Sequence, residues 1–222
     1  ADSDHRIKAV LVVQVDTASS VVNDIAALRA AIDAAKHPAL FMVDCIASFG
    51  TMPCRMDAWG VDVTVTGSQK GLMLPPGLGF VAAGSRALAA HRIAGLVTRF
   101  WDWTFRDGPE NYMKHCGTAP EHLIFGLRAS LDMIASEGFD NVVRRHALLA
   151  EATRRAVEAW ARGGAVELNI VEPSERSNAV TTVRTAFEAQ TLIDWCERDC
   201  GVTLGIAIGD VAGRGFRIAH MG

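Results

Sequence analysis

Lys70 has the surroundings most suggestive of chemistry in this sequence. It follows Thr66-Gly67-Ser68-Gln69 at the end of an apolar run and precedes Gly71. A second polar residue, Asp44, closes another apolar run at residues 39–43. A lone lysine in such a place is ordinarily a solvated loop residue, and a lone aspartate at a strand end ordinarily caps the next turn. Together the two residues indicate a more specific chemistry than either does alone.

An amine and a carboxylate are the two side chains that pyridoxal phosphate requires from a protein. The lysine amine condenses with the cofactor's aldehyde, and the carboxylate lies against the ring nitrogen. The negative charge keeps that nitrogen protonated, so that the ring can accept electrons from the substrate's α-carbon. Lysine suits the first task because its pKa falls readily on desolvation. The pair predicts this cofactor if both residues lie at one edge of the same sheet.

The elements that must position this pair follow from the apolar pattern. Four strands are predicted, at residues 7–15, 39–43, 61–66 and 79–83. A helix is predicted between the first two, with Asn23 as its N-cap and apolar residues at helical spacing up to Pro38. Strands without alternation, separated by helices, favour an α/β fold with a mostly parallel sheet flanked by helices. In such sheets ligands bind beyond the carboxyl ends of the strands, where Asp44 and residues 66–70 lie.

The rest of the chain predicts a second unit. Residues 121–160 have a helical pattern that breaks at Gly138. Strands at residues 166–171, 179–184 and 215–218 then accompany a helix at residues 188–199. We therefore expect residues 1–135 to form part of a large cofactor-binding domain and residues 136–222 a smaller C-terminal α/β domain.

Composition restricts the partners of the protein. Of 222 residues half are hydrophobic, and the net charge is −3 with both signs interspersed. This pattern predicts neither a nucleic-acid partner nor a membrane partner, and the longest apolar stretch is too short to cross a bilayer. Five cysteines, an odd and scattered set, predict reduced thiols in the cytoplasm. Cys196 and Cys200 have a spacing that could hold a metal, but no other ligand clusters near them, so no metal site is expected.

Five short motifs along the chain match one enzyme family. They are V-D-C-I-A-S-F-G at residues 43–50, W-G-V-D-V at 59–63, G-S-Q-K-G-L at 67–72, P-P-G-L at 75–78 and F-R-I-A-H-M-G at 216–222. These motifs closely resemble those of the class V pyridoxal-phosphate-dependent aminotransferases, in the group of serine-, alanine- and aspartate-glyoxylate aminotransferases. The resemblance implies the fold type I architecture and a homodimer with active sites at the subunit interface.

The resemblance also implies roles for residues of the cofactor site. Lys70 would form the Schiff base and move the proton at the substrate's α-carbon, and Asp44 would pair with the ring nitrogen. Gln69 would bind the phosphate, Thr17 would lie near the phenolic oxygen, and Ser48 would line the site. By its own local pattern, Ser48 is equally expected to satisfy a turn.

Two further roles concern the substrate and the neighbouring subunit. The resemblance implies that Arg217 grips the substrate α-carboxylate, for which its planar fork is suited. It implies that Thr118 reaches the phosphate of the neighbouring subunit. A structural role stays open for each residue: a surface ion pair for Arg217, and the N-cap of the helix that begins near Glu121 for Thr118.

The predicted reaction is transfer of an amino group from a small L-amino acid (serine, alanine or aspartate) to a 2-oxo acid, with glyoxylate as the expected acceptor. Two departures from the family stand out: Gln14-Val15-Asp16 replaces a His-containing pattern, and Ser20 replaces glycine. No glycine-rich phosphate turn precedes Thr17, so we expect the large domain to be partial. The smaller domain ends abruptly at Gly222, so we expect the C-terminus to be clipped as well. The alternatives are a truncated, non-catalytic remnant and a related enzyme such as a cysteine desulfurase, although no cysteine lies in a convincing catalytic loop.

Overall fold

The computed structural model describes residues 2–222, and its first half is built on a four-stranded sheet. The strands are β1 (Ala9–Val13), β2 (Leu40–Asp44), β3 (Val63–Gly67) and β4 (Gly79–Ala83), in that spatial order. β1, β2 and β3 are parallel, and β4 pairs with β3 in the antiparallel direction. The prediction of a mostly parallel sheet is confirmed.

Helix α1 (Ile25–Ala34) covers one face of this sheet. Its apolar residues Ile25, Leu28 and Ile32 pack against Phe41 and Val43 of β2. Phe41 is fully buried, and this cluster is the core of the first half of the molecule. The helical spacing of these side chains therefore matches the face that the helix buries.

The N-terminus of α1 differs from the prediction by one residue. Asp24, and not Asn23, is the N-cap, because the Asp24 carboxylate accepts a hydrogen bond from Ala27 N at 2.9 Å. Asn23 instead donates from Nδ2 to Val13 O at 2.9 Å. Both residue types are good caps, and the use of Asn23 at the end of β1 decides between them.

The opposite face of the sheet carries Asp44. The strand register aligns Val13, Asp44, Val65 and Val81 in one row across the four strands. Successive side chains of a strand point to opposite faces, so Asp44 points away from α1, whereas Val43 points toward it. Val81 is 54% exposed, and the face that bears Asp44 is thus open near the strand ends.

The chain between the two sheets is helical. The helices are α2 (Ser85–Arg92), α3 (Trp103–Arg106), α4 (Asn111–His115), α5 (Glu121–Glu137) and α6 (Phe139–Ala161). Gly138, at φ +86°, separates α5 from α6 as predicted, because a positive φ favours glycine. Among residues 2–222, no helix combines the length and apolarity needed to cross a membrane.

The second sheet is antiparallel. Its strands are β5 (Val166–Leu168), β6 (Val180–Thr185), β7 (Gly205–Ile206) and β8 (Gly215–Ala219), in the spatial order β5-β6-β8-β7, and helix α7 (Ala189–Cys200) packs beside them. The core here consists of Val157, Val183, Ile193 and Phe216. β5 is three residues shorter than predicted, and β7 is not predicted from the sequence, since two residues carry no periodic pattern.

Residues 18–20, in the loop after β1, contact the second sheet directly. Ser20 Oγ lies 2.5 Å from Thr182 Oγ1, and Thr182 also donates to Ala18 O at 3.0 Å. Asn169 Nδ2 donates to Ser19 O at 2.8 Å. Ser20 has φ +70°, a left-handed conformation in which glycine is most easily accommodated. Ser20 therefore lacks the backbone freedom of glycine but gains a side-chain contact with Thr182. The division of the chain into two domains between residues 135 and 136 stays a prediction.

Candidate active site

Asp44 ends β2 at the carboxyl edge of the first sheet. Backbone hydrogen bonds fix its position: Gln14 N donates to Asp44 O at 2.9 Å, and Cys45 N donates to Val65 O at 2.8 Å. The side-chain Oδ1 accepts from Ile46 N at 2.7 Å, which holds the carboxylate in one orientation. Within residues 2–222, Oδ2 accepts no hydrogen bond, so one carboxylate oxygen is available at the sheet edge.

Lys70 lies in the turn that follows β3, the strand next to β2. Ser68 organises this turn, because its buried hydroxyl donates to Pro75 O at 2.8 Å and accepts from Leu78 N at 3.2 Å. The backbone of Gly71 is pressed against the turn after β2, and a Cβ there would lie 2.1 Å from Phe49 O. Only glycine fits at that contact, so the turn bearing Lys70 is held next to the turn that follows Asp44.

The Lys70 amine has no carboxylate within ion-pair distance among the residues that the structure describes. Its side chain is half-buried. The neighbouring Gln69 is exposed, and its Oε1 folds over Gly67, where a Cβ would lie at 2.9 Å. Lys70 and Gln69 therefore present an uncompensated cation and an amide at the edge where Asp44 lies.

Thr17 lies at the same edge, in the loop after β1. The preceding Asp16 shapes this loop: its carboxylate accepts from Ala18 N at 2.9 Å and from Ser19 Oγ at 2.8 Å. Partial burial opposes ionisation of Asp16, but these hydrogen bonds outweigh it and lower the pKa of the carboxyl. An ionised Asp16 thus holds Thr17 in a defined turn.

Arg217, in β8 of the second sheet, reaches across to this loop. Its Nη1 donates to Thr17 O at 3.0 Å, and its Nε donates to Ile206 O at 2.8 Å. No carboxylate within residues 2–222 forms an ion pair with it. The alternative of a surface ion pair is therefore wrong for the described chain: carbonyls orient the guanidinium and leave its charge uncompensated.

Ser48 points into the protein. It is 1% exposed, and its Oγ donates to Gln14 Oε1 at 2.6 Å and lies 3.4 Å from Cys45 O. Gln14 also donates from Nε2 to Pro53 O at 3.1 Å. Gln14 thus joins the ends of β1 and β2 with the loop at Pro53, a role that no sequence pattern signals. Ser48 satisfies the turn after β2, and its role in lining the site stays a prediction.

Thr118 lies in the exposed loop between α4 and α5. The expectation that it caps α5 is wrong, because the N-cap is Pro120 and no side chain caps the helix. Proline is compatible with the first turn of a helix, where an N–H has no intrahelical partner. Contact with a neighbouring subunit is the remaining role proposed for Thr118.

A buried carboxylate, Asp62, directly precedes the amino end of β3, opposite to the edge where Asp44 lies. Its Oδ2 accepts from Phe41 N at 2.8 Å and from Arg86 Nη1 at 2.9 Å. Every strong interaction of Asp62 is thus internal, whereas Asp44 keeps a free oxygen. Of these two acids, Asp44 is the one that has a carboxylate oxygen free to bind a ligand. Within residues 2–222, no three His, Cys, Asp or Glu residues are grouped to hold a metal ion.

An α/β protein with an acid and an amine beyond the carboxyl ends of adjacent parallel strands has the features of a pyridoxal-phosphate enzyme. The family model described as Aminotransferase class-V matches residues 2–206. The chain belongs to this family, whose members depend on pyridoxal phosphate.

Individual relatives agree with this assignment. The chain is 43% identical over its whole length to an L-aspartate–glyoxylate aminotransferase of Paracoccus denitrificans, of which it covers 56%. It is 40% identical to a serine–glyoxylate aminotransferase of Arabidopsis thaliana, again over the whole chain and 55% of the relative. The crystal structure of pyridoxamine-pyruvate aminotransferase from Mesorhizobium loti superposes with a TM-score of 0.85 at 31% identity, covering 98% of this chain and 55% of that one. The chain therefore spans about half the length of these relatives.

The residues present fit the cofactor. The free Oδ2 of Asp44 is a suitable partner for a protonated ring nitrogen, and the unpaired Lys70 for an aldehyde. Gln69 offers an amide N–H to a phosphate oxygen, and Arg217 offers unpaired charge to a carboxylate. Backbone hydrogen bonds position Asp44 and Arg217 and leave one carboxylate oxygen and three guanidinium N–H groups available for a ligand.

Proposed function

We propose that the full-length protein is a pyridoxal-phosphate-dependent aminotransferase. It transfers an amino group from a small L-amino acid, serine, alanine or aspartate, to a 2-oxo acid, with glyoxylate as the preferred acceptor. The observation that carries the proposal is the free Asp44 oxygen beside the turn that bears an unpaired Lys70. The names of relatives that use glyoxylate support the choice of acceptor.

Asp44 and Lys70 have complementary tasks in this proposal. The Oδ2 atom of Asp44 holds a proton on the ring nitrogen, while the hydrogen bond from Ile46 N keeps the carboxylate in place. When bound, pyridoxal phosphate supplies the electron-withdrawing ring that makes the substrate's α-proton acidic. The Lys70 amine takes that proton from the α-carbon and returns it during the second half-reaction. Gln69 donates from its amide to the phosphate.

Arg217 orients the amino acid. A guanidinium has five N–H donors, and two of these are used by Thr17 O and Ile206 O. Three N–H groups remain, enough for a two-point contact with an α-carboxylate. Because both anchoring carbonyls are backbone groups, the fork is oriented before the substrate arrives, which lowers the entropic cost of binding.

The proposed enzyme works as a homodimer in the cytoplasm. The exposed Thr118 between α4 and α5 would contact the phosphate in the neighbouring subunit, an arrangement that a two-fold axis repeats in both sites. The five free cysteines support a reducing compartment.

Absorbance spectroscopy of the full-length protein with pyridoxal phosphate tests the assignment of Lys70. We expect the absorbance band of a Schiff base between lysine and cofactor. Borohydride should reduce this Schiff base and so attach the cofactor permanently to the peptide that contains Lys70. Lys70→Ala should lose this band, whereas Lys8→Ala, at an exposed lysine, should keep it. A reducible band in Lys70→Ala equal to that of the parent would disprove the assignment, and failure of the parent to bind cofactor would favour the non-catalytic alternative.

Amino-group transfer is measured separately. Addition of serine, alanine or aspartate should bleach the band in a single turnover, and glyoxylate should restore it. Arg217→Ala should raise the concentration needed for half-bleaching by at least about tenfold for every donor, because a charged, two-point contact contributes roughly 1.5–3 kcal/mol. An unchanged half-bleaching concentration would refute the role of Arg217.

A further inference from the structure

Cys45 and Cys54 form a pair of neighbouring thiols beside the candidate site. Their Sγ atoms lie 3.8 Å apart, which is van der Waals contact between two sulfurs. Cys45 directly follows Asp44 at the end of β2, and Cys54 lies in the irregular stretch at residues 53–55. Neither the reaction proposed above nor the family assignment accounts for two thiols in contact.

The two thiols differ in access to solvent. Cys45 is 1% exposed, and besides Cys54 its Sγ has Gln14 Oε1 at 3.5 Å. Cys54 is half-buried and can be reached from solvent. A reagent in solution therefore reacts with Cys54 first. The buried Cys45 thiol can then react with the neighbouring Cys54 sulfur.

Their acidities differ in the same direction. The side-chain hydrogen bond between the two sulfurs lowers the pKa of Cys54 to about 7, although partial burial opposes the shift. The same interaction raises the pKa of Cys45, and burial raises it further. Cys54 is accordingly the thiolate of the pair near neutral pH, and the thiolate is the nucleophilic form of cysteine.

Formation of a disulfide requires the two sulfurs to approach each other further. A disulfide needs an S–S distance of about 2.05 Å, so the present separation must shorten by roughly 1.8 Å. Cys45 is anchored by β2, whereas residues 53–55 have no strand or helix hydrogen bonds. The Pro53 carbonyl is tied to Gln14 Nε2 at 3.1 Å, and this contact keeps the loop close to Cys45.

We propose that Cys45 and Cys54 are a redox-active dithiol that a hydroperoxide converts into an intramolecular disulfide. The Cys54 thiolate attacks one peroxide oxygen, the O–O bond breaks, and Cys54 becomes a sulfenic acid while the other oxygen leaves as water or alcohol after protonation. The Cys45 sulfur then attacks the Cys54 sulfur and displaces hydroxide, which takes the Cys45 proton and leaves as water. The two thiols lose two electrons and the peroxide gains them. This inference does not depend on the proposed transamination.

Peptide mapping of the full-length protein treated with hydrogen peroxide tests the proposal. Free thiols are blocked with N-ethylmaleimide before digestion without reductant. Trypsin leaves both cysteines in residues 37–55, because no Lys or Arg lies between them. This peptide should lose two hydrogen atoms and incorporate no N-ethylmaleimide. Cleavage after Phe49 by chymotrypsin then separates the two cysteines, and the fragments should stay joined until dithiothreitol is added.

Variants distinguish the disulfide from simple oxidation. Cys45→Ser removes the second thiol, so Cys54 should accumulate as sulfinic acid, whereas Cys196→Ser should still form the 45–54 disulfide. The proposal is overturned if Cys54 in the parent accumulates as sulfinic acid while Cys45 remains open to alkylation after unfolding. It is equally overturned if the joined fragments appear only when the protein is oxidised in denaturant. The measurement on the parent protein decides even if a variant does not fold.

Discussion

Removal of the Asp62 carboxylate should destabilise the fold much more than removal of the Asp44 carboxylate. Asp62 is 7% exposed at its side chain and accepts from Phe41 N at 2.8 Å. Asp62→Ala leaves that buried amide without a partner, which costs about 1–3 kcal/mol. Arg86 loses its ion pair, but its side chain is 48% exposed and water can solvate it, so this loss adds at most about 1 kcal/mol. The expected total is about 1–4 kcal/mol.

Asp44→Ala is the matched comparison at the other end of the sheet. Here the variant loses a single hydrogen bond, from Ile46 N to Oδ1 at 2.7 Å. The partner amide is in a partly buried turn that water can enter, so the cost should be about 0.5–1 kcal/mol. The free Oδ2 contributes no hydrogen bond to lose. Cofactor affinity should show the reverse order, with a large loss in Asp44→Ala and little change in Asp62→Ala.

Urea unfolding of the cofactor-free proteins measures the first difference, and titration with pyridoxal phosphate measures the second. Asp62→Asn separates the two parts of the argument, because asparagine keeps an acceptor for Phe41 N and loses only the charge. It should cost about 1 kcal/mol. Equal destabilisation by Asp44→Ala and Asp62→Ala, or equal destabilisation by Asp62→Asn and Asp62→Ala, would refute the reasoning.

Three further predictions concern single side chains. In thermal unfolding, Ser20→Ala should be less stable than Ser20→Gly by about 1 kcal/mol. Both variants lose the contact with Thr182, but only alanine is strained at a positive φ. Equal unfolding midpoints of the two variants would contradict this prediction. Burial lowers the pKa of His220 below its ordinary 6.5, so the folded protein binds fewer protons than the unfolded chain and stability should fall as the pH drops below about 6.5. That fall should be smaller in His220→Gln, as measured by urea unfolding at pH 7.5 and 5.5. The rate of Cys54 alkylation by iodoacetamide should rise with pH and reach half its maximum at the pKa of the Cys54 thiol, about 7. In Cys45→Ala this midpoint should move to higher pH. An unchanged midpoint would exclude the hydrogen bond with Cys45 as the cause of the low pKa.

Features that depend on long apolar patterns are the ones most readily predicted from the sequence. The four strands of the first sheet are predictable because each is rich in apolar or β-branched residues, and the break at Gly138 is predictable because a positive φ favours glycine. The helix cap is misplaced by one residue, because Asn23 and Asp24 are equally good caps and only the tertiary contact with Val13 separates them.

The candidate site is predictable where chemistry restricts residue type. The sequence places Asp44 and Lys70 at strand ends, and the structure puts both ends at one edge of the sheet. The inward orientation of Ser48 is not predictable, because its partner Gln14 lies 34 residues away in sequence. The contact between Cys45 and Cys54 escapes prediction for a different reason. A turn of irregular backbone brings the two sulfurs together, and no periodic pattern encodes such a turn.

The two hydrogen bonds that Arg217 donates to backbone carbonyls also determine how a bound anion affects the chain. One bond goes to the loop after β1, and the other goes to the short strand β7. A carboxylate that immobilises the guanidinium therefore restrains both segments, although it need not touch either. Slower amide hydrogen exchange at residues 16–20 and at residues 205–206 should accompany substrate binding, to the same extent and at the same concentration.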